Sequence, residues 1–276
     1  MIFESIFLIR GGSGGYDWGQ KLIMAILAIL VCIYDYKKNE KRLDYFWVFL
    51  TGTLIWSVVE LSIQLTGGRV FQEKYLFGLN VTNYLWLTIP IQAMAEAGAI
   101  AIMGLYFGDR IMNKETRKTN VIIFSILLAY FLLMLRNGIN YNNVDVGGKV
   151  PSRREMFSLN AVIVVAIIIF PAIYWLITTD SESRKRGLYM ILVMIIWASW
   201  WNYLSWLTGQ RWIEVGTKNP DGSYSNLHRA DPMLEFWAFA FDTMFEIVLV
   251  YAPFLAIPYL LGLIKSNKLN TIVSNP

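Results

Sequence analysis

The chain has 276 residues, a formal net charge of +4, 56% hydrophobic and 16% charged residues, and a mean hydropathy of +0.45. That balance excludes an ordinary solvated globule and calls for apolar spans. The positive charge sits in short clusters between apolar runs, a pattern that sets membrane orientation and excludes a nucleic-acid surface. The single cysteine, Cys32, lies inside an apolar run, so no disulfide framework and no cysteine-based metal site is expected.

In chain order, Ile6–Ile9 is a short apolar stretch with no basic region ahead of it and a Gly-Gly-Ser-Gly-Gly turn behind it, a poor secretory signal that is expected to be retained. Seven apolar segments follow, at about 19–36, 45–65, 84–107, 119–135, 157–178, 188–207 and 234–264. Each is near the ~20 residues a helix needs to cross a bilayer. The expected fold is all-α: one polytopic membrane domain over 1–276 with seven transmembrane helices. Lys37, Lys38, Lys41 and Arg42, then Arg110, Lys114, Arg117 and Lys118, then Arg184, Lys185 and Arg186, then Lys265 and Lys268 fall on one side. The positive-inside rule makes that side cytoplasmic, with the N-terminus outside and the C-terminus inside. The longer loops 66–83, 136–156 and 208–233 are expected to form an outer cap.

An internal repeat emerges from the polar residues. Span two runs Trp56-Ser57-Val58-Val59-Glu60 and ends Leu65-Thr66-Gly67-Gly68-Arg69; span six runs Ala198-Ser199-Trp200-Trp201-Asn202 and ends Leu207-Thr208-Gly209-Gln210-Arg211. Ser57 matches Ser199, and Glu60 matches Asn202. Span three carries Gln92 and Glu96 around Met94, as span seven carries Asp242 and Glu246 around Met244. Two parallel halves of three helices, joined by span four, would place a site at their interface, a recurrent transporter plan. Coincidental Trp and Leu spacing is the alternative.

Helical spacing puts Thr53, Ser57, Glu60 and Gln64 on one face of span two. Thr88, Gln92 and Glu96 do the same on span three, and Glu235, Asp242 and Glu246 on span seven. Spans two, three, six and seven are therefore expected to enclose a pocket opening outward, with the other spans around them. Glu60, Glu96 and Glu246 are the candidate catalytic residues. Ser57, Gln64, Gln92, Trp197, Ser199, Asn202, Trp206 and Asp242 are the candidate ligand contacts, with the clustered tryptophans divided between an interfacial belt and a cation–π cavity. Four acids with no basic partner expected among them call either for shared protons or for a cation. A protonated Glu hydrogen-bonded to Gln, Asn or Ser could equally hold helices together. No span contains a His, so no metal and no cofactor is expected, an all-oxygen Ca²⁺ or Mg²⁺ site aside.

These residues resemble the EXPERA family, the four-helix domain of the emopamil-binding sterol isomerase and the sigma-2 receptor. Glu60 matches the family's Glu on its first helix, Glu96 the Glu on its second, Glu246 the position of an Asn on its last, and Pro253 a downstream proline. Trp56 stands where the isomerases have His, and Leu249 where they have Trp. The resemblance covers spans two, three, six and seven and implies binding or isomerisation of a sterol-type lipid, with the missing His counting against the isomerase chemistry. Microbial rhodopsins share the seven-helix plan, but Glu246 occupies the place of the retinal lysine, which excludes a Schiff base. The expected function is thus an outward-facing acidic and aromatic pocket for an amphiphilic or cationic small molecule, with catalysis left open. The alternatives are a small-molecule or cation transporter and a structural subunit of a membrane complex. The expected partners are the bilayer and that ligand, with no nucleic acid; a homo-oligomer stays open.

Overall fold

A computed structural model describes residues 4–11, 16–136, 150, 152–157, 159–219, 223–244 and 249–265. The order is β1 (Ser5–Arg10), α1 (Trp18–Lys38), α2 (Asp44–Leu65), β2 (Arg69–Phe71), the small hairpin β3 (Tyr75–Leu76) and β4 (Leu79–Asn80), then α3 (Leu85–Ala93). A π-helical turn, Met94–Ala99, joins α3 to α4 (Ile100–Met112). After α5 (Arg117–Arg136) come β5 (Ser152–Glu155), α6 (Leu159–Thr178), α7 (Ser181–Leu207), β6 (Arg211–Lys218), β7 (Tyr224–Arg229), α8 (Pro232–Phe241) and α9 (Leu249–Leu260).

Helices account for most of the chain and fall on each expected apolar segment. Among the described residues, four are long and apolar enough to cross a membrane: Trp18–Lys38, Asp44–Leu65, Leu85–Met112 and Ser181–Leu207. Their outward faces are apolar, with Leu27, Leu54 and Ile196 among the exposed side chains, a surface compatible with contact with lipid. The helices pack through small residues. A side chain at Gly98 would collide with Thr53 and Phe49 of α2, and one at Gly108 would meet the Met190 main chain of α7 at 2.9 Å. Ala93, Ala97, Gly98, Ala101 and Gly104 form a face of small residues that is buried throughout.

The all-α expectation fails at one end of the bundle. The N-terminal stretch and the three long loops supply a five-stranded antiparallel sheet of order β2-β5-β1-β6-β7. The reason it escapes a sequence reading is visible in β1: both of its faces are covered. Leu8 packs with Ile213, Val215 and Phe239 toward the helices, and Phe7 and Ile9 pack with Trp212 and Val150 on the other side. A strand buried on both faces shows no alternation.

The register fixes which side chains point at the bundle. Arg69 lies opposite Arg154, and Phe71 opposite Ser152; Leu8 lies opposite both Arg154 and Ile213, and Arg10 opposite both Ser152 and Arg211. Cross-strand partners share a face, so one sheet face carries two rows: Arg69, Arg154, Leu8, Ile213, and beside it Phe71, Ser152, Arg10, Arg211.

At the opposite end the basic segments converge. The Arg186 guanidinium donates two bonds of 2.7 Å to Asp109 and further bonds to Asp44 (3.0 Å) and the Tyr259 hydroxyl (3.1 Å), tying α7 to α4, α2 and α9. Arg42 donates to the Lys265 carbonyl at 2.8 Å, which brings the first and last basic clusters together.

Candidate functional site

The polar face expected on α2 and α3 exists and points into the junction between bundle and sheet. Glu60 is fully buried on α2; it accepts from Arg69 at 2.7 Å and from Gln64 at 2.8 Å. Glu96 lies in the π-helical turn and is met by Lys21 at 3.1 Å and by Arg10 and Arg69 at 3.3 Å. Gln92, also fully buried, donates to Glu96 at 3.3 Å. On the other side Asp242 accepts from Arg154 and from Asn202, each at 2.7 Å, with Arg211 at 3.6 Å. Asn202 also bonds Thr243 and accepts from Arg211. Residues 242–244 are π-helical, so Glu96 and Asp242 both sit where a helix departs from α geometry, a feature that recurs at functional sites.

The expectation that shared protons or a foreign cation must satisfy the acids is corrected here. The protein supplies the cations itself, from the sheet and from the first turn of α1. Arg10, Arg69, Arg154 and Arg211 come from four different strands, and Lys21 enters from α1, a span expected to lie outside the pocket. Lys74, in the turn before β3, reaches Gln64 at 2.9 Å and Thr88 at 3.4 Å. An aromatic wall completes this side: Trp18 lies under the Lys21 ammonium at 3.9 Å and donates its indole N–H to the Thr88 carbonyl at 2.7 Å. Burial lowers the Lys74 ammonium to about 8 and, helped by the charge of Arg10, lowers the Arg211 guanidinium to about 9. Burial and Arg69 pull Arg10 below its usual range as well.

Not every expected contact lies in this network. Trp206 donates to Glu235 at 2.6 Å, and Glu235 accepts from the Ile213 amide and from Arg229, so Trp206 ties α7 to α8 and Glu235 ties α8 to the sheet. Trp197 packs beside the apolar cluster of Phe107, Phe124 and Val193 between α4, α5 and α7, away from the acids. Ser57 and Ser199 are half-buried on α2 and α7. Glu246 lies outside the described residues.

Six cationic side chains therefore converge on three carboxylates among the described residues. Arg–Arg pairs directly opposite one another in a sheet repel, and buried charge without compensation costs several kcal/mol. The network is sealed around Glu60, Arg69 and Asp242 and more open at one edge, where the side chains of Arg10, Glu96 and Arg154 retain 20%, 18% and 11% exposure. No protein-family model, curated protein or solved structure matches the chain.

The missed residues left one readable signal. Arg69 and Arg211 are the last residues of the two repeated sequence segments, four residues past the ends of their helices, where loop charge is the default reading. Arg10 and Arg154 carry no local signal, because only pairing with strands distant in the sequence brings them to the acids.

Proposed function

We propose that the chain is an integral membrane protein of seven helices with the sheet on its outer side, and that the sheet–helix junction binds an amphiphilic small molecule. The observation that carries this reading is the convergence of Lys21, Lys74 and the four strand arginines on Glu60, Glu96 and Asp242. Docking a sheet onto a bundle needs far less buried charge. Dispersal of the site over α1, α2, α3, α7, α8 and four strands supports a chamber rather than a single helix–helix tie. In the EXPERA-like version Glu60, Glu96 and Glu246 would serve a lipid isomerisation. The three cations held within 3.3 Å of Glu96 favour a counter-ion role, and therefore binding over proton transfer. The same cations weaken the case for a cationic ligand.

The sheet favours a second reading, transport between two repeats. Exchanging β1 with β5 and β2 with β6 leaves the order β2-β5-β1-β6 unchanged. The exchange matches Arg10 with Arg154 and Arg69 with Arg211. Thr66 and Thr208 end their helices alike, each hydroxyl bonding the carbonyl four residues back, and each is followed by a glycine with φ near +70°. Arg10 and Arg69 hold Glu96 as Arg154 and Arg211 hold Asp242. The repeat is thus offset by four residues on the last helix, with Asp242 rather than Glu246 answering Glu96. A pseudo-twofold plan of this kind is shared by many transporters.

Mass spectrometry of small molecules co-purifying in mild detergent tests the binding reading. The expected result is a bound amphiphile whose occupancy falls at least tenfold in Glu96→Gln. A wild-type protein free of any such molecule, and indifferent to added lipids, refutes it. Uptake into proteoliposomes, rather than retention, selects the transport version.

A further inference from the structure

The charge balance of the junction assigns a sign to its ligand. We propose that the junction binds an oxyanion, a phosphate or carboxylate group, at the open edge formed by Arg10, Arg154 and Glu96. This deepens the binding reading above and rests on it.

Four observations carry the inference. First, Arg10, Arg69, Arg154 and Arg211 occupy one face of the sheet within two adjacent rows, so their charges lie side by side and their repulsion must be offset. Second, among the described residues the six cations of the junction outnumber the three carboxylates they meet. Lys21, Arg10 and Arg69 meet Glu96, Arg69 also holds Glu60, Arg154 and Arg211 both meet Asp242, and Lys74 donates to the neutral oxygens of Gln64 and Thr88. Third, donors are left over: the Nε groups of Arg10 and Arg69 are buried without a hydrogen-bond partner, as is the hydroxyl of Ser152, which is fully buried in the row between Phe71 and Arg10. Fourth, the network is not sealed everywhere. The more exposed guanidinium groups, Arg10 and Arg154, flank the open edge, whereas Arg69 and Arg211 are closed in.

Guanidinium forks match the spacing of two oxygens on a phosphate or carboxylate, and such charge-assisted bonds are about twice as strong as neutral ones. An oxyanion at the open edge would offset the cation excess and give the strand arginines an acceptor they share unequally now. The half-buried Phe71 ring, opposite Ser152 in the same row, offers apolar surface for the rest of an amphiphile. The oxyanion can belong to a lipid headgroup entering from the bilayer or to a soluble anion entering from the sheet side.

The test uses the full-length protein in a neutral detergent, with Tm followed at constant ionic strength. Chloride is exchanged for inorganic phosphate in one arm. In the other, dihexanoyl phosphatidic acid is compared with dihexanoyl phosphatidylcholine. The expected result is a rise of several degrees with phosphate, with phosphatidic acid, or with both. A response to both marks a site for the free group; a response to phosphatidic acid alone marks a lipid headgroup. Arg10→Gln should weaken the response at least tenfold in concentration, since Arg10 makes one 3.3 Å ion pair and is not needed to hold the sheet. Ser152→Asp supplies the missing anion from the chain itself: Tm without ligand should rise above that of the parent, and the phosphate response should vanish. No response to either probe overturns the proposal, as does a Ser152→Asp protein with lowered Tm and an intact response. Should a neutral lipid co-purify and be lost in Glu96→Gln while neither anion shifts Tm, the binding site stands and its assigned sign falls.

Discussion

Replacing Arg69 with Met isolates the pair on which the sealed half of the site depends. Arg69 is buried, and its contact with Glu60 is 2.7 Å. Coulomb's law with an effective dielectric of about 20 gives a gross attraction of about 6 kcal/mol at that separation. Desolvation of both groups offsets much of this, and removing one partner of a buried pair costs about 3–5 kcal/mol because the other charge is stranded. Glu96 keeps Arg10 and Lys21, so the loss falls on Glu60, whose remaining donor is Gln64. For a chain of this size each kcal/mol moves Tm by about 2–4 °C, which places Arg69→Met about 10 °C below the parent. Heat-induced aggregation in mild detergent reads the shift. Adding Glu60→Gln removes the stranded charge and should restore more than half of the loss, a coupling of about 2 kcal/mol in the double-mutant cycle. The reasoning fails if Arg69→Met stays within about 2 °C of the parent, or if the double variant loses the sum of the single losses.

Two further outcomes follow from the structure. The Lys74 ammonium titrates near 8 in the folded protein against 10.5 ordinarily, so the unfolded chain holds the extra proton between those values and stability rises with pH across that window; Lys74→Met should be more stable than the parent at neutral pH and lose that share of the rise, and parallel Tm profiles for the two proteins would contradict the assignment. With Asn80→Cys and Lys114→Cys as probes on opposite ends of the bundle, an impermeant maleimide should label the first in intact cells and the second only after permeabilisation, while the buried Cys32 gives no background; the reverse order inverts the proposed topology.

The helices were legible because apolar runs of about twenty residues admit few other readings. The acids were legible too, since Glu60 and Glu96 are polar residues at helical spacing inside such runs. Their partners were hidden for two physical reasons. β2 has three residues and β5 four, too short for any periodicity, and β1 is covered on both faces. In addition, long basic side chains act at a distance from their backbone: Lys21 sits in the first turn of α1 and Arg10 on a strand, yet both reach a carboxylate in the middle of another helix. Helical counting puts Glu96 about 17 Å below the start of α3. The Trp18 bond to the Thr88 carbonyl sets the first turn of α3 level with the start of α1, so Lys21 can span the remaining drop. The tryptophans misled in the opposite sense. Trp197 and Trp206 belong to the tryptophan cluster of span six, but one packs beside an apolar cluster and the other bonds a sheet-anchoring Glu.

The sheet order also dictates a schedule for synthesis. The chain leaves the ribosome from its N-terminus, yet β1 pairs with strands that begin at Ser152 and Arg211, and β2 pairs with β5. Until more than half of the protein has been made, both early strands carry unpaired edges and their arginines have only Glu60 and Glu96 as counter-charges. Such edges are sites of mispairing. The late arrival of residues 152–155 between β2 and β1 is then the event that closes the sheet, and a ribosome stalled before that point holds a bundle of helices beneath an unassembled lid. A chain released there should be a preferred substrate for quality-control proteases, whereas one released after Lys218 has every strand of the five-stranded sheet except the edge strand β7.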